Sequence, residues 1–413
     1  MIAVIGTLDT KGDKVAYLKQ LIEGKGEETL TIDSGVLGSP SFQADIPREE
    51  VAEAAGESLD KISSLGNEAR AMSIMAEGTS KIVAELYSSG KLGGVIGVGG
   101  TMGTSLFLSA TKVLPVGVPK VLFSTIGLNV TMASKVSLPP EMVPLDLIMV
   151  PAVSDIWGLN SLTKRMLENA AGTIIGTAQM YKESEKLAGK TFVAISTLGT
   201  SALKYIQWLK PCLEGIGHEV AAFHSGGGQG QALEQLVRQG IIKGILDLCL
   251  LEVADAVCGG ILSGEGKLEA ASKRGIPQII APGAIDFFSW GPPDTLPERF
   301  KGRKRRQHNE LTWQIETSLE EVAKIAELIG RKLNKGHGPR IVVIPKLGFS
   351  EFDKPGCAFY NPERSRVFRR TLKGRLKPEI RVIESEAHIN DRAFAEEVAK
   401  SFIPLMGHSE RQN

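Results

Sequence analysis

Ala3-Val4-Ile5-Gly6-Thr7-Leu8-Asp9-Thr10 near the start of the chain is spoken again as Val193-Ala194-Ile195-Ser196-Thr197-Leu198-Gly199-Thr200. Each copy is a short apolar run that breaks into a polar, glycine-containing turn, the form of a buried strand feeding a helix. About one helix later, Ile32-Asp33-Ser34-Gly35 is matched by Phe223-His224-Ser225-Gly226. Further on, Gly117-Val118-Pro119 is matched by Gly275-Ile276-Pro277, each entering an apolar strand. Order and chemistry are kept together, so the chain reads as a duplicated α/β unit. The fold expected is two Rossmann-like domains with mostly parallel sheets, residues 1–181 with a connecting helix and residues 187–408.

Alternating apolar runs and helical stretches support this reading. Strands are expected at Ile2–Ile5, Thr29–Asp33, Gly94–Val98, Val118–Phe123, Ile245–Leu248, Ile341–Ile344 and Ile380–Ile383. The spacing of Val15, Leu18, Leu21 and Ile22 predicts a helix from Asp13 to Glu23. Others are expected over Asn67–Ser88, Ile156–Tyr181 and Arg392–Phe402, with the polar stretch Lys182–Lys186 as the domain boundary.

A chain of 413 residues exceeds what one core usually serves. A net charge of +1 gives no general reason for nucleic-acid or membrane binding. Four cysteines without C-x-x-C spacing suit a reducing, cytoplasmic setting. The 46 glycines exceed the average of roughly 7% and cluster beside the apolar runs, where a phosphate loop would put them.

Two loops carry most of the expected chemistry. Gly97-x-Gly99-Gly100-Thr101-x-Gly103-Thr104-Ser105 lies between a strand and a helix, where bare backbone and free N–H groups can cradle a phosphate. Gly6-Thr7-x-Asp9-Thr10-Lys11 adds a cation, a carboxylate for a ribose or magnesium, and two hydroxyls. Asp33 ends the second strand, the usual place for a ribose-binding acid. In the second copy His224 takes that place, beside the run Gly226-Gly227-Gly228-x-Gly230. Asp9, His224 and Glu252 are the candidates for proton transfer. The basic run Lys301–Arg306 reads as a solvated loop first, an anion site or subunit contact second and an RNA contact third. Neither His308-Asn309 nor His388–Asp391 has a metal-ligand spacing, so no metal site is expected.

At these residues the chain resembles the Tm-1-like ATP-binding family, also called UPF0261. The resemblance runs through Val4–Lys11, Gly94–Ser105, Ser154–Asn160, Glu252–Asp255, Pro282–Asp286, Asp294–Arg303 and Ala387–Asp391. It implies ATP as cofactor, with Mg2+, bound in the N-terminal half, and a homodimer. It also implies association with a separate TIM-barrel protein resembling a phosphoenolpyruvate hydrolase. Two stretches depart from the family pattern: Ile126–Ser134 lacks its Asp and Arg, and Leu248-Cys249-Leu250-Leu251 replaces a threonine-rich run. Both exchange polar loop chemistry for apolar residues and imply a changed or weakened ligand if those loops line the site.

The leading expectation is therefore a nucleotide-binding protein. One alternative is a metabolic enzyme acting on a small phosphorylated or carboxylated substrate between the halves. Another is a regulatory protein-interaction module holding nucleotide as a structural ligand.

Overall fold

A computed structural model describes residues 1–127, 143–183, 190–264 and 266–409. The chain divides into two compact units at Leu187. Most of the divergent stretch Ile126–Ser134, and the boundary residues 184–186, lie outside the described residues. No helix among the described residues is long and apolar enough to cross a membrane.

In unit 1 the elements run β1 (Ile2–Gly6), α1 (Leu8–Glu23), β2 (Thr29–Asp33), α2 (Arg48–Ala54), α3 (Leu59–Ser63), α4 (Glu68–Ser88), β3 (Gly94–Gly99), α5 (Thr101–Thr111), β4 (Lys120–Ser124), β5 (Leu147–Pro151) and α6 (Ser161–Glu183). The five strands are parallel in the order β2-β1-β3-β4-β5. Successive strand side chains face opposite ways, so β1 feeds two cores. Ile2 and Val4 pack with Leu8, Val15, Leu18 and Ile174 on one side. Ala3 and Ile5 pack with Met75, Val83, Leu106 and Phe107 on the other. Such fully buried strands are apolar throughout because both faces are covered.

Unit 2 contains β6 (Phe192–Thr197), α7 (Ile206–Glu214), β7 (Glu219–His224), α8 (Gly227–Gln239), β8 (Ile242–Cys249), α9 (Leu251–Cys258), α10 (Glu269–Arg274), β9 (Gln278–Gly283), β10 (Phe287–Trp290), β11 (Arg305–Gln307), β12 (Trp313–Glu316), α11 (Leu319–Lys335), β13 (Arg340–Pro345), α12 (Pro362–Lys373), β14 (Arg381–Ser385) and α13 (Arg392–Ser409). Its parallel sheet has the order β7-β6-β8-β9-β13-β14. Apart from the added β14, this repeats the winding of unit 1, strand for strand. The strands after Gly117-Val118-Pro119 and Gly275-Ile276-Pro277, β4 and β9, occupy the same place in each sheet.

Several local details differ from the sequence expectation. Helix α1 starts five residues early, at Leu8, because the buried Asp33 carboxylate supplies an acceptor for the Leu8 N–H at 3.0 Å. Helix α6 starts late, at Ser161. Gly158 turns the chain at φ +72°, and the Asn160 side chain accepts the Thr163 N–H at 2.9 Å. The region after β9 holds a small antiparallel sheet, β10-β12-β11. Arg305 and Arg306 of the basic run Lys301–Arg306 form its β11 edge, while Lys301, Lys304 and Arg305 are exposed, in keeping with a solvated segment. Lys301 pairs with Glu298 at 2.6 Å and Arg303 with Glu321 at 2.5 Å, and Arg306 lies over the Phe352 ring at 4.1 Å.

Candidate functional site

In doubly wound sheets, neighbouring strands whose connections leave in opposite directions open a crevice at their carboxyl ends. In unit 1 those strands are β1 and β3. The turn after β1 and the turn after β3 meet there around a cleft of about 280 Å³. Thr7, Asp9, Thr10 and Lys11 line one side, and Gly99, Gly100, Thr101, Met102 and Gly103 line the other. Val36, Leu37, Glu68 and Met72 close the remaining wall.

The two loops offer different chemistry. Gly100 is the N-cap of α5. The first N–H groups of a helix have no carbonyl four residues back, so α5 directs free donors and its positive dipole end at the cleft. A Cβ on Gly100 would meet nothing closer than Thr125 Oγ1 at 3.8 Å, so that wall is open. Across the cleft, the Thr7 and Thr10 hydroxyls stand 2.7 Å apart. Lys11 brings a half-buried ammonium. Asp9 Oδ2 accepts the Leu37 N–H at 2.7 Å, while its buried Oδ1 has no hydrogen-bond partner among the described residues.

Other glycines of the expected phosphate loop serve packing. A Cβ on Gly97 would lie 2.2 Å from the Phe107 ring, and one on Gly99 would lie 2.7 Å from the Gly103 carbonyl carbon. Gly6 is kept bare by Val15 Cγ2, 2.6 Å from its would-be Cβ. Thr104 is fully buried and shares a 2.6 Å hydrogen bond with Ser124 Oγ, so its hydroxyl faces inward. Ser105 lies one position further along α5 and is not part of the cleft wall.

Asp33, expected at a ribose, instead sits beneath the site. It is 1% exposed, and its Oδ1 accepts the Leu8 and Gly35 N–H groups at 3.0 and 2.9 Å. Burial pushes its carboxyl above the ordinary range against those two hydrogen bonds. It anchors the loop carrying Thr7–Lys11. Val36, Leu37 and Met72 went unnoticed in the sequence. The first two directly follow the Ser34-Gly35 turn, and Met72 reaches the cleft only through the packing of α4.

In unit 2 the corresponding strand ends, β6 and β8, are tied together. Ser196 Oγ accepts the Cys249 N–H at 3.0 Å, and Tyr205 donates its hydroxyl to the Ser196 carbonyl at 2.6 Å. Leu250 and Leu251 fill the space with apolar bulk. The matched motifs are also offset by one position. Gly6 stands opposite Asp33, whereas Thr197, not Ser196, stands opposite His224. His224 ends β7 as Asp33 ends β2, but it is exposed where Asp33 is buried.

Glu252 is only 2% exposed and accepts a short hydrogen bond from the Ser225 hydroxyl. The other motif acids of this unit tie loops together. Asp255 accepts the Ser289 and Leu262 N–H groups at 2.8 and 2.7 Å, and Asp286 accepts the Ser350 hydroxyl at 2.6 Å. His388 Nε2 meets the Ser350 carbonyl at 2.8 Å, and burial lowers its basicity. Asn390 accepts the Leu203 and Lys204 N–H groups at 3.2 Å. Among the described residues no group of three His, Cys, Asp or Glu side chains is placed to hold a metal ion.

The comparisons with known proteins fall on both units. The family model described as the N-terminal domain of the uncharacterised protein family UPF0261 matches residues 1–183. Its C-terminal counterpart matches residues 190–406. A UPF0261 protein of Clostridium tetani is 38% identical over 411 residues, covering 98% of each chain. One from Brucella suis is 36% identical over 395 residues, covering 95% of this chain and 93% of the other. The ToMV susceptible protein tm-1 of Solanum lycopersicum is 33% identical over 433 residues, which span 99% of this chain and 56% of the tomato protein.

Proposed function

The chain belongs to the UPF0261 family, and on that premise we propose that unit 1 binds ATP, or a related phosphorylated small molecule, in the cleft between Gly100 and Lys11. The observation that carries this reading is the convergence of an open helix N-terminus and a lysine on one crevice. Phosphate oxygens would take the free N–H groups at the start of α5 and face the Lys11 ammonium. Thr7 and Thr10 add hydroxyl donors. Asp9 would offer a carboxylate to a magnesium ion carried with the phosphates, since magnesium in such sites is held mainly by phosphate, water and one or two carboxylates. A cleft of about 280 Å³ lies near the lower end of the ligand-pocket range. It suits the phosphate end of a nucleotide, with the remainder running past Leu37 and Met72.

The test is calorimetric titration with ATP and magnesium of the wild type and of Gly100→Asp. Aspartate is a favoured N-cap residue, and the wall at Gly100 is open, so the variant should fold. Its carboxylate would occupy the place proposed for phosphate. Saturable binding by the wild type that the folded variant loses supports the reading. A wild type that binds no nucleotide overturns it.

A further inference from the structure

The strand-for-strand repetition gives unit 2 its own turn between β7 and α8, His224-Ser225-Gly226-Gly227-Gly228-Gln229-Gly230. Gly226 and Gly227 have φ of +107° and +62°, conformations that favour glycine. They lead into a 13-residue helix, whose first turn presents free N–H groups. The Ser225 hydroxyl, 1% exposed, points into the same place. A glycine turn, a hydroxyl and a long helix start together make an environment for an oxyanion.

That place is filled by a side chain of unit 2 itself. Glu252 reaches it from the first turn of α9, and its Oε2 accepts the Ser225 hydroxyl. Its Oε1 has no hydrogen-bond partner among the described residues, although the side chain is 98% withdrawn from solvent. A Cβ on Gly230 would stand 2.4 Å from that oxygen, so the carboxylate is packed against the first turn of α8. Gly264 closes behind it, its would-be Cβ 2.9 Å from Glu252 Cβ, and Leu262 covers Gly226. The nearby Lys267 ammonium, 2% exposed, is paired with Asp247 Oδ1 at 2.6 Å. Among the described residues the hydrogen-bond donor to this carboxylate is the Ser225 hydroxyl, and the start of α8 adds its positive dipole end.

We propose that the turn after β7 is a second oxyanion site, for an anion of the phosphate class, which the Glu252 carboxylate occupies in place of a ligand. The two helix starts then differ: the one at Gly100, after β3, is open, and the one at Gly227, after β7, is closed by an internal acid. Removing that acid should leave a pocket that keeps the Ser225 hydroxyl and the start of α8.

The test counts inorganic phosphate bound per chain by titration calorimetry, in the wild type and in Glu252→Ala. One additional saturable equivalent in Glu252→Ala, accompanied by a phosphate-dependent rise in its Tm, is expected. The additional equivalent should persist in Gly100→Asp/Glu252→Ala, which separates it from the proposed nucleotide cleft. A folded Glu252→Ala that binds no more phosphate than the wild type overturns the proposal. If Glu252→Ala is unfolded in phosphate-free buffer, phosphate must restore its native circular dichroism spectrum, and failure to do so overturns the proposal equally.

Discussion

Asp33 Oδ1 accepts the backbone N–H of Leu8 at 3.0 Å, so an acid at the end of β2 determines where the helix after β1 begins. The same oxygen holds the Gly35 N–H, which binds the first loop to the wall that carries Val36 and Leu37. Asp33→Ala leaves two buried donors without their acceptor, a cost of roughly 1–3 kcal/mol. We expect a lower urea midpoint and weaker ATP binding, with Asp33→Asn keeping more of both because it retains an acceptor oxygen. Equal nucleotide affinity in the wild type and Asp33→Ala would show that the anchor does not shape the cleft.

Gly97 and Gly100 should respond oppositely to the same added methyl. At Gly97 the methyl lands on Phe107, and overpacking of a buried strand costs about 1–3 kcal/mol. At Gly100 there is room, and the loss is about 1 kcal/mol or less from a poorer N-cap. Denaturant melts of Gly97→Ala and Gly100→Ala check this. A larger stability loss at Gly100 would mean that the open wall is misassigned.

Glu234 and Asp255 tie unit 2 to a pH dependence. Burial pushes both carboxyls up to about 7. A carboxyl whose folded pKa lies above its unfolded one binds its proton more tightly when folded. Its contribution is full below the unfolded pKa and is lost as pH rises through the folded one. Thermal stability of unit 2 should therefore fall between about pH 4.5 and pH 8, by roughly 2–4 kcal/mol per group. Asp255→Asn should flatten that slope; a slope unchanged in the variant would remove Asp255 as its source.

Lys267 and Asp247 are 2% and 0% exposed and 2.6 Å apart. Burial alone would lower the lysine, but Asp247, Glu252 and Glu234 outweigh it and hold the ammonium charged. Lys267→Met strands the Asp247 charge in the core and should cost about 3–5 kcal/mol. Lys267→Met/Asp247→Leu should recover much of that loss. Chemical denaturation of the three proteins reads the difference, and additive losses in the double variant would contradict a coupled pair.

The duplicated strand–turn–helix pattern was legible in the residues because it is local. Ala3–Thr10 and Val193–Thr200 repeat the same apolar run and turn, and burial on both sheet faces forces such runs to be apolar throughout. The Gly99–Gly103 turn and Lys11 could likewise be picked out, since glycine at a strand end and a lysine in the neighbouring strand's turn are marks of composition. Tertiary packing decided the rest. Gly97 serves Phe107 and Gly100 serves the cleft, a distinction set by what lies across from each Cα. Asp33 and His224 end matching strands, yet the first is buried under its loop and the second is exposed to solvent. The small β10-β12-β11 sheet forms because β12 pairs with both the neighbouring β11 and the more distant β10. Glu252 and Ser225 lie 27 residues apart along the chain and meet only because β7 and β8 flank β6, a proximity that no local pattern encodes.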